Sequence, residues 1–270
     1  MKLRSVKPYV PKSVLPFARS VYGAYARVLC WYTDLREDRH VEETGFDRLP
    51  PASLRYRVHG APDAESFLEV GKRCSEDVEA ALERIDRNFD TFREVLDFGC
   101  GCGRTLAWFA GRSPLLYGTD IDDEAISWCR GNLDFAEFGV NEPLPPLEYP
   151  TGAFDLIYAI SVFTHLNEDY QFRWLEELSR VSRTGGIVLL TVHGQHVWKD
   201  LPREDTDDIK RDGFKFLASN AMKGIFPNWY QNAYHTEEYV FDRYSEHFDV
   251  LDYVPRGMGN RQDTVVLRKS

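Results

Sequence analysis

The chain lacks any run of about 18 uninterrupted apolar residues, so no segment of it reads as a membrane-spanning helix. Its N-terminus also lacks the compact apolar core and small-residue cleavage site of a secretory leader, which predicts a cytoplasmic protein. Zinc spacing is missing too. The five cysteines, Cys30, Cys74, Cys100, Cys102 and Cys129, offer no second pair to complete a site, and they read as reduced thiols with no metal. Basic residues are in deficit: 33 Lys and Arg against 43 Asp and Glu leave a formal charge of −10. That balance argues against nucleic acid as a partner, because neutralising phosphates needs a basic surface. No internal repeat or low-complexity stretch suggests a scaffold.

What the chain does have is a glycine turn. Asp97-Phe98-Gly99-Cys100-Gly101-Cys102-Gly103 follows the apolar Val95-Leu96 and opens onto Arg104-Thr105-Leu106-Ala107-Trp108-Phe109, which predicts a strand, a turn and a helix start. Glycines there let backbone N–H groups and a helix N-terminus approach a ligand closely. A dinucleotide fingerprint would place its third glycine where Arg104 stands, and a phosphate-binding loop would continue into Gly-Lys-Ser/Thr; neither pattern is present. Asp97 stands directly before the glycines, where a buried acid would repel a phosphate and favour an ammonium or sulfonium. The turn therefore points to a cationic, phosphate-free nucleoside. A second strand, Leu115 to Thr119, ends in Asp120-Ile121-Asp122, at the spacing where a doubly wound fold places an acid for ribose hydroxyls. Asp120 is the residue expected there, while Asp122 and Asp123 suit the N-terminus of a helix from Glu124 to Leu133.

These segments, together with Phe154 to Ala159 and Arg183-Thr184-Gly185-Gly186-Ile187-Val188-Leu189-Leu190, resemble the class I S-adenosylmethionine-dependent methyltransferases over roughly Glu94 to Ser270. Thr184 stands where the family usually has proline. The resemblance implies an α/β, Rossmann-like methyltransferase fold with a seven-stranded, mostly parallel sheet and an antiparallel last strand. It implies S-adenosylmethionine as cofactor and S-adenosylhomocysteine as product. Carried over by position, it gives Asp97, Gly99, Cys100 and Gly101 the methionine end and Asp120 the ribose, with Phe98 and Ile121 beside them. It gives Asn141 the adenine edge and places Ile160 and Ser161 under the cofactor.

The rest of the chain divides into residues 1–74, an N-terminal basic amphipathic extension and cap, and residues 75–270, the methyltransferase domain with a lid insert at about 195–234. Lys2, Arg4, Lys7, Lys12, Arg19 and Arg27 precede the first acid, Asp34, and apolar residues between them predict an amphipathic helix from about Pro16. Such a helix packs on its own domain or a second subunit, or lies on an anionic membrane surface. Leu49-Pro50-Pro51 marks a loop, Ser75 is read as the N-cap of the helix leading to the first strand, and Arg57 or Arg55 is placed to meet a cofactor carboxylate.

Ligands of open α/β sheets bind outside the carboxyl ends of the strands. Strand four leads there into His165, strand five into His193, and the final hairpin, with strands Phe248 to Val254 and Thr264 to Lys269, turns there through Pro255 to Asp263. An attacking alcohol must lose a proton, and histidine suits that task near neutral pH. His193 and His165 lead as bases, His235 is third, and Asp263 is expected to orient His193. Tyr230, His235, Arg256 and Gln262 are the candidate acceptor contacts, and Trp198, Trp229, Tyr230 and Tyr234 give the lid aromatic faces for a sugar or a small core of its own.

Ile160 to Leu166 and Tyr253 to Leu267 resemble, more loosely, bacterial methyltransferases that modify sugars of polysaccharides or glycolipids. The expected activity is O-methylation of a sugar, oligosaccharide or glycolipid. The alternatives are a small-molecule enzyme acting on a phenol, carboxylate or amine, and a catalytically silent cofactor-binding partner. The partners expected are a small-molecule or saccharide substrate, no nucleic acid, a peripheral contact of residues 1–31 with the inner membrane face, and a homodimer.

Overall fold

The computed structural model describes residues 15–37, 44–217 and 231–270. Strands β1 (Glu94–Phe98), β2 (Leu115–Asp120), β3 (Ala136–Val140), β4 (Phe154–Ala159) and β5 (Ser182–Val192) are followed by a short separate ladder of β6 (Phe214–Leu217) and β7 (Asn232–His235), then by β8 (Asp249–Met258) and β9 (Gln262–Arg268). The large sheet has seven strands in the order β3-β2-β1-β4-β5-β9-β8, and β9 alone runs antiparallel to its neighbours. Both the strand count and the antiparallel insertion agree with the sequence expectation.

Parallel strands covered on both faces need apolar residues at successive positions. Val95, Leu156 and Leu189 turn to one layer, with Val78 and Leu82 of α3 (Ala64–Glu83) and Ile126 of α4 (Asp123–Asn132). Their immediate neighbours Leu96, Ile157 and Leu190 turn to the other. There they meet Trp174 and Leu178 of α5 (Glu168–Val181) and Val240 and Tyr244 of α8 (Glu237–Tyr244). The crossover helices start where side-chain caps are available. Asp122 accepts from the Ala125 N–H at 3.1 Å and Asn167 from the Tyr170 N–H at 2.9 Å.

Three boundaries differ from expectation. The helix before β1 starts at Ala64, capped by Asp63 accepting from the Ser66 N–H at 2.8 Å; Ser75 lies buried within it and donates to the Lys72 carbonyl. α3 therefore runs unbroken across residues 74 and 75, where the extension was expected to end. After the glycines the chain makes only a 3₁₀ turn, Leu106–Phe109, in place of a full helix. The final hairpin is longer than predicted: Met258 pairs with Gln262, while Asp263 lies beside strand five as expected, opposite Val192. Pro255 is tolerated because β8 is an edge strand interrupted by a bulge.

The insert contains α6 (Gln195–Trp198), α7 (Arg203–Asp212), β6 and β7. Trp198 and Tyr234 are buried around Ile209 in a small core, and Trp198 Nε1 donates to the His235 carbonyl at 2.8 Å. Trp229 and Tyr230 lie outside the described residues.

Two carboxylates join the N-terminal helices to the domain. Asp34 of α1 (Leu15–Arg36) accepts from the first N–H of α2 (Ala52–His59), 3.0 Å from Ala52, while Glu37 accepts from the first N–H of α3 at Ala64 and pairs with Arg55 at 2.7 Å. Acids at helix N-termini are favoured by the unsatisfied donors and the dipole. Tyr25, Val28, Trp31 and Leu35 of α1 are exposed. Arg55 is fully buried, so removing Glu37 would strand a charge inside the protein. Glu37→Ala is expected to lower unfolding free energy by about 3 kcal/mol in urea titrations. Arg57→Ala, at a half-exposed ion pair, should change it by less than about 1 kcal/mol.

Candidate functional site

The loop after β1 is shaped by glycines under tight cover. Gly99 and Gly101 have φ of +85° and +56°, in the left-handed region. A Cβ on Gly101 would come within 2.7 Å of Val58 Cγ2, and one on Gly99 would collide with Val162. Thus α2 lies over one glycine and the β4–α5 loop over the other. Asp120 braces the same loop from the end of β2, accepting from the Gly101 N–H at 2.8 Å through one oxygen and the Asp122 N–H at 2.9 Å through the other. Each oxygen keeps a second lone pair, so the group can still receive a vicinal diol.

Asp97 is 3% exposed at the end of β1. Burial, with a smaller contribution from the like charge of Asp120, pushes its carboxyl up from 3.8 to about 8; the Tyr158 hydroxyl beside it and Arg104 pull the other way. At neutral pH Asp97 thus keeps its proton until a cation arrives. This is the donor set a sulfonium and ammonium ligand needs: a side-chain-free loop, a latent carboxylate beneath it and a diol acceptor at its rim. A phosphate would find two acids there and no lysine.

The other expected cofactor contacts fare unevenly. Phe98 turns into the core, with its ring centroid 4.6 Å from that of Trp174, so its side chain does not face the loop. Cys100 offers only backbone, because its thiol lies buried against Gly118. All five cysteines are unpaired and buried, and burial raises the Cys102 thiol to about 12, which makes it unreactive. Asn141 spends its amide locally, accepting from Thr119 Oγ1 at 3.0 Å and donating to the Glu142 carbonyl at 2.8 Å. Ile121 is half-buried beside Asp120, and Ile160 packs partly against the sheet's first layer. Ser161 has a φ of +62°, with its N–H on Thr191 Oγ1 and its hydroxyl on Gln262.

On the acceptor side, the structure brings His165 and His193 together, ring centroids 6.1 Å apart and perpendicular. His165 Nδ1 lies 2.6 Å from the Gln231 carbonyl; a carbonyl only accepts, so Nδ1 carries the hydrogen and Nε2 the lone pair. Burial lowers the ring to about 4, leaving it neutral at physiological pH.

His235 is neither base nor acceptor contact. It is fully buried, its Nε2 is 2.9 Å from Gln171 Oε1, and burial drives it down to about 3. Tyr244 donates to the same Gln171 oxygen, so the group is a core network. Asp263 accepts from the Tyr253 hydroxyl at 2.7 Å and the Arg256 N–H at 2.8 Å, bracing the β8–β9 hairpin under Gly194 rather than serving the expected role toward His193. Arg256 is exposed, with Nε directed to the Asn260 carbonyl, while Gln262 reaches Ser161 at the strand edge. Tyr230 lies outside the described residues. Neither expected arginine is available: Arg55 pairs with Glu37, and Arg57 with Asp122 and Glu124. Val58, Val162 and Thr191 were not foreseen; they come from elements remote in sequence, and only a pairing pattern would have revealed them. Among the described residues no cluster of three or more His, Cys, Asp or Glu side chains could hold a metal.

Residues 96–190 match the family described as a methyltransferase domain. The ribosomal protein L11 methyltransferase of Paraburkholderia phytofirmans is 34% identical over 141 residues, covering 45% of this chain and 46% of that protein. The rRNA N(6)-adenosine-methyltransferase metl-5 of Caenorhabditis elegans is 30% identical over 132 residues, covering 45% and 62%. The chain spans about half the length of the first curated relatives it matches. Among solved structures, the Burkholderia thailandensis 1,6-didemethyltoxoflavin-N1-methyltransferase, with S-adenosylhomocysteine bound, aligns with a TM-score of 0.53 at 19% identity, covering 81% of this chain and 88% of that one. These relatives correct the expected partner set. Enzymes named for a ribosomal protein and for rRNA carry the same domain, so the inference from net charge to a small-molecule or saccharide substrate without nucleic acid does not hold. No comparison supports a carbohydrate-specific subgroup, a membrane contact of residues 1–31 or a homodimer. No described helix is long and apolar enough to cross a membrane.

The raised Asp97 carboxyl has a defined pH signature. Between about pH 4 and 8 the folded protein holds a proton that the unfolded chain has released. This group's stabilisation is therefore complete below pH 4 and is lost as pH rises through 8, by up to about 5 kcal/mol. Asp97→Asn should abolish that loss, so that its urea midpoint relative to wild type increases from pH 5 to pH 8.5. Cofactor binding at pH 7 should release a proton in wild type alone, read as a buffer-dependent calorimetric enthalpy.

Proposed function

For a chain that carries an S-adenosylmethionine-dependent methyltransferase domain, we propose methyl transfer to a hydroxyl acceptor held at the carboxyl ends of β4 and β5, with the His165–His193 pair receiving the proton. The observation that carries the reading is the division of the sheet edge. Asp97, the glycine loop and Asp120 occupy the β1–β2 side, and two histidines face each other on the β4–β5 side.

When bound, S-adenosylmethionine supplies an electrophilic methyl on a positively charged sulfur and departs as the neutral thioether. Asp97 and Asp120 hold and orient its two ends. Val58 and Val162 close over the loop and restrict water. The acceptor oxygen forms its bond to carbon as the carbon–sulfur bond breaks, and its proton passes to a histidine nitrogen; for His165 that nitrogen is Nε2. A ring lowered to about 4 is a weak base, but it suffices because the acceptor becomes strongly acidic as its new bond forms. Alignment supplies much of the remaining acceleration.

Relatives named for ribosomal protein L11, for an rRNA adenosine and for the alkaloid ajmaline make protein, RNA and amine acceptors the competing classes. The finer expectation, a sugar hydroxyl, rests on the loose sequence resemblance alone, because Trp198 and Tyr234 of the insert are buried in a core of their own. Incubation with methyl-labelled cofactor and four acceptor pools, saccharides, hydroxylated small molecules, amines, and ribosomal protein with rRNA, distinguishes them. Label in an ether-forming pool is expected. Label confined to amines, protein or RNA overturns the hydroxyl reading. His165→Ala and His193→Ala should each reduce kcat, one of them by about 100-fold, with KM for the cofactor unchanged. Near-normal turnover in both would remove histidine from the mechanism.

A further inference from the structure

Helix α5 buries Trp174, Leu175 and Leu178 against the sheet, and Gln171 precedes them at the same helical spacing. A core-facing stripe calls for an apolar residue there; the chain has an amide, 1% exposed. Such a group is tolerated in a core only when its donors and acceptors are used, and here all four contacts are made. Nε2 donates to the carbonyls of Phe163 and Leu166, each at 3.0 Å. Carbonyls only accept, so this end of the amide is the NH2 and the oxygen lies at the other. Oε1 accepts from the Tyr244 hydroxyl of α8 at 2.8 Å and from His235 Nε2 of β7 at 2.9 Å. His235 therefore carries its hydrogen on Nε2, while Nδ1, sealed in the core, has no hydrogen-bond partner. A phenylalanine ring would avoid that cost, so what the imidazole adds at this position is its Nε2–H.

The segments held by this amide are those that carry the histidine pair. Phe163 and Leu166 bracket Thr164 and His165 in the β4–α5 loop. On the other side, alternate residues of one extended segment meet both histidine-bearing stretches. The Gln231 carbonyl lies 2.6 Å from His165 Nδ1, the Ala233 N–H donates to the Thr164 carbonyl at 2.9 Å, and the His235 N–H donates to the His193 carbonyl at 3.0 Å. That segment ends in the ring that Gln171 holds. One side chain thus has the His165 loop on its nitrogen and β7 on its oxygen, with α5 and α8 behind it. Hydrogen bonds in a dry interior hold their partners firmly when every site of the group is satisfied.

We propose that Gln171 is the positioning residue of the His165–His193 pair: its NH2 fixes the loop that presents His165, and its oxygen fixes, through the His235 ring, the strand that meets both histidines. This rests on the reading that the pair receives the acceptor's proton. The tautomer of His165 is then set at second hand. The Gln231 carbonyl selects the Nδ1–H form only while loop and strand keep their spacing, and the amide sets that spacing. Proton transfer requires the receiving nitrogen within hydrogen-bond reach, and a displacement of about 1 Å caused by a remote change can cost about 100-fold.

Nuclear magnetic resonance of the ligand-free protein with 15N-labelled histidine at pH 7 reads each ring's tautomer directly. Wild type should show His165 only as Nδ1–H and His235 only as Nε2–H; any other state of either ring overturns the proposal. Gln171→Leu should turn His165 into a mixture of tautomers and lower kcat by about 10- to 100-fold on the acceptor pool that takes label, with affinity for S-adenosylhomocysteine within about threefold of wild type. Gln171→Glu, which keeps the oxygen toward His235 and at most one donor for the two carbonyls, should recover part of both effects. Tyr244→Phe removes a neighbouring donor that holds neither histidine segment and should leave the His165 tautomer as in wild type. An unchanged His165 in Gln171→Leu, or the same disturbance in Tyr244→Phe, overturns the positioning role. Should the Gln171 variants fail to fold, His235→Phe supplies the test: the His193 ring resonances must move, and unmoved resonances refute the link through β7. A disturbed His165 with normal turnover upholds the positioning and refutes the histidine mechanism, so the two readings fail separately.

Discussion

A carboxyl group sits at the end of β1 beneath a loop from which side chains have been removed, and the site depends on how that group is kept uncharged. Asp97 is held by burial and by its neighbour Asp120 in the protonated state, so the empty loop carries no naked anion. Without this, the close approach of two acids at adjacent strand ends would repel itself, and β1 and β2 would pair at a penalty. The solution makes the loop stable when empty and anionic when a cation enters, which couples occupancy to the ionisation of one residue. Asp120 contributes by spending one lone pair on each of two backbone N–H groups, so the glycine turn is fixed before any ligand arrives.

That half of the site was legible in the sequence because it is local. Residues 95 to 122 contain the strand, the glycines, the second strand and its terminal acid, and parallel pairing of Asp97 with Gly118 brings the two ends together. The helix after β2 was equally readable, since Asp122 announces it with a side-chain cap. The start of α3 was not, although Asp63 and Ser66 carried the signal; a serine inside the helix competed with it.

The acceptor half was poorly legible because it is assembled from remote pieces. β7 threads beside the ends of β4 and β5: the Ala233 N–H meets the Thr164 carbonyl, and the His235 N–H meets the His193 carbonyl. Two histidines that looked alike in sequence thereby receive different neighbours. Both are buried, but the His193 ring lies beside that of His165 at the strand ends, whereas the His235 ring turns to Gln171 and Tyr244 of two helices. No spacing rule predicts that, because it depends on which way a four-residue strand turns its side chains. Asp263 shows the same division: its place beside strand five was foreseen, but its carboxylate turns to the Tyr253 hydroxyl and the Arg256 N–H.

The failure of the charge argument has the same physical origin. Net charge governs non-specific attraction and solubility, while recognition is decided by the few groups at the mouth of a site. An acidic surface repels nucleic acid on average but attracts basic polypeptides, so a charge of −10 never separated small acceptors from macromolecular ones. What does separate them is the geometry beyond His165 and His193. The loop of β4 that presents His165 also places Val162 over Gly99, and the helix that covers Gly101 also meets Arg104. Two elements remote in sequence, α2 and the β4–α5 loop, therefore cover the glycine turn from two sides, and that arrangement owes nothing to the net charge of the chain.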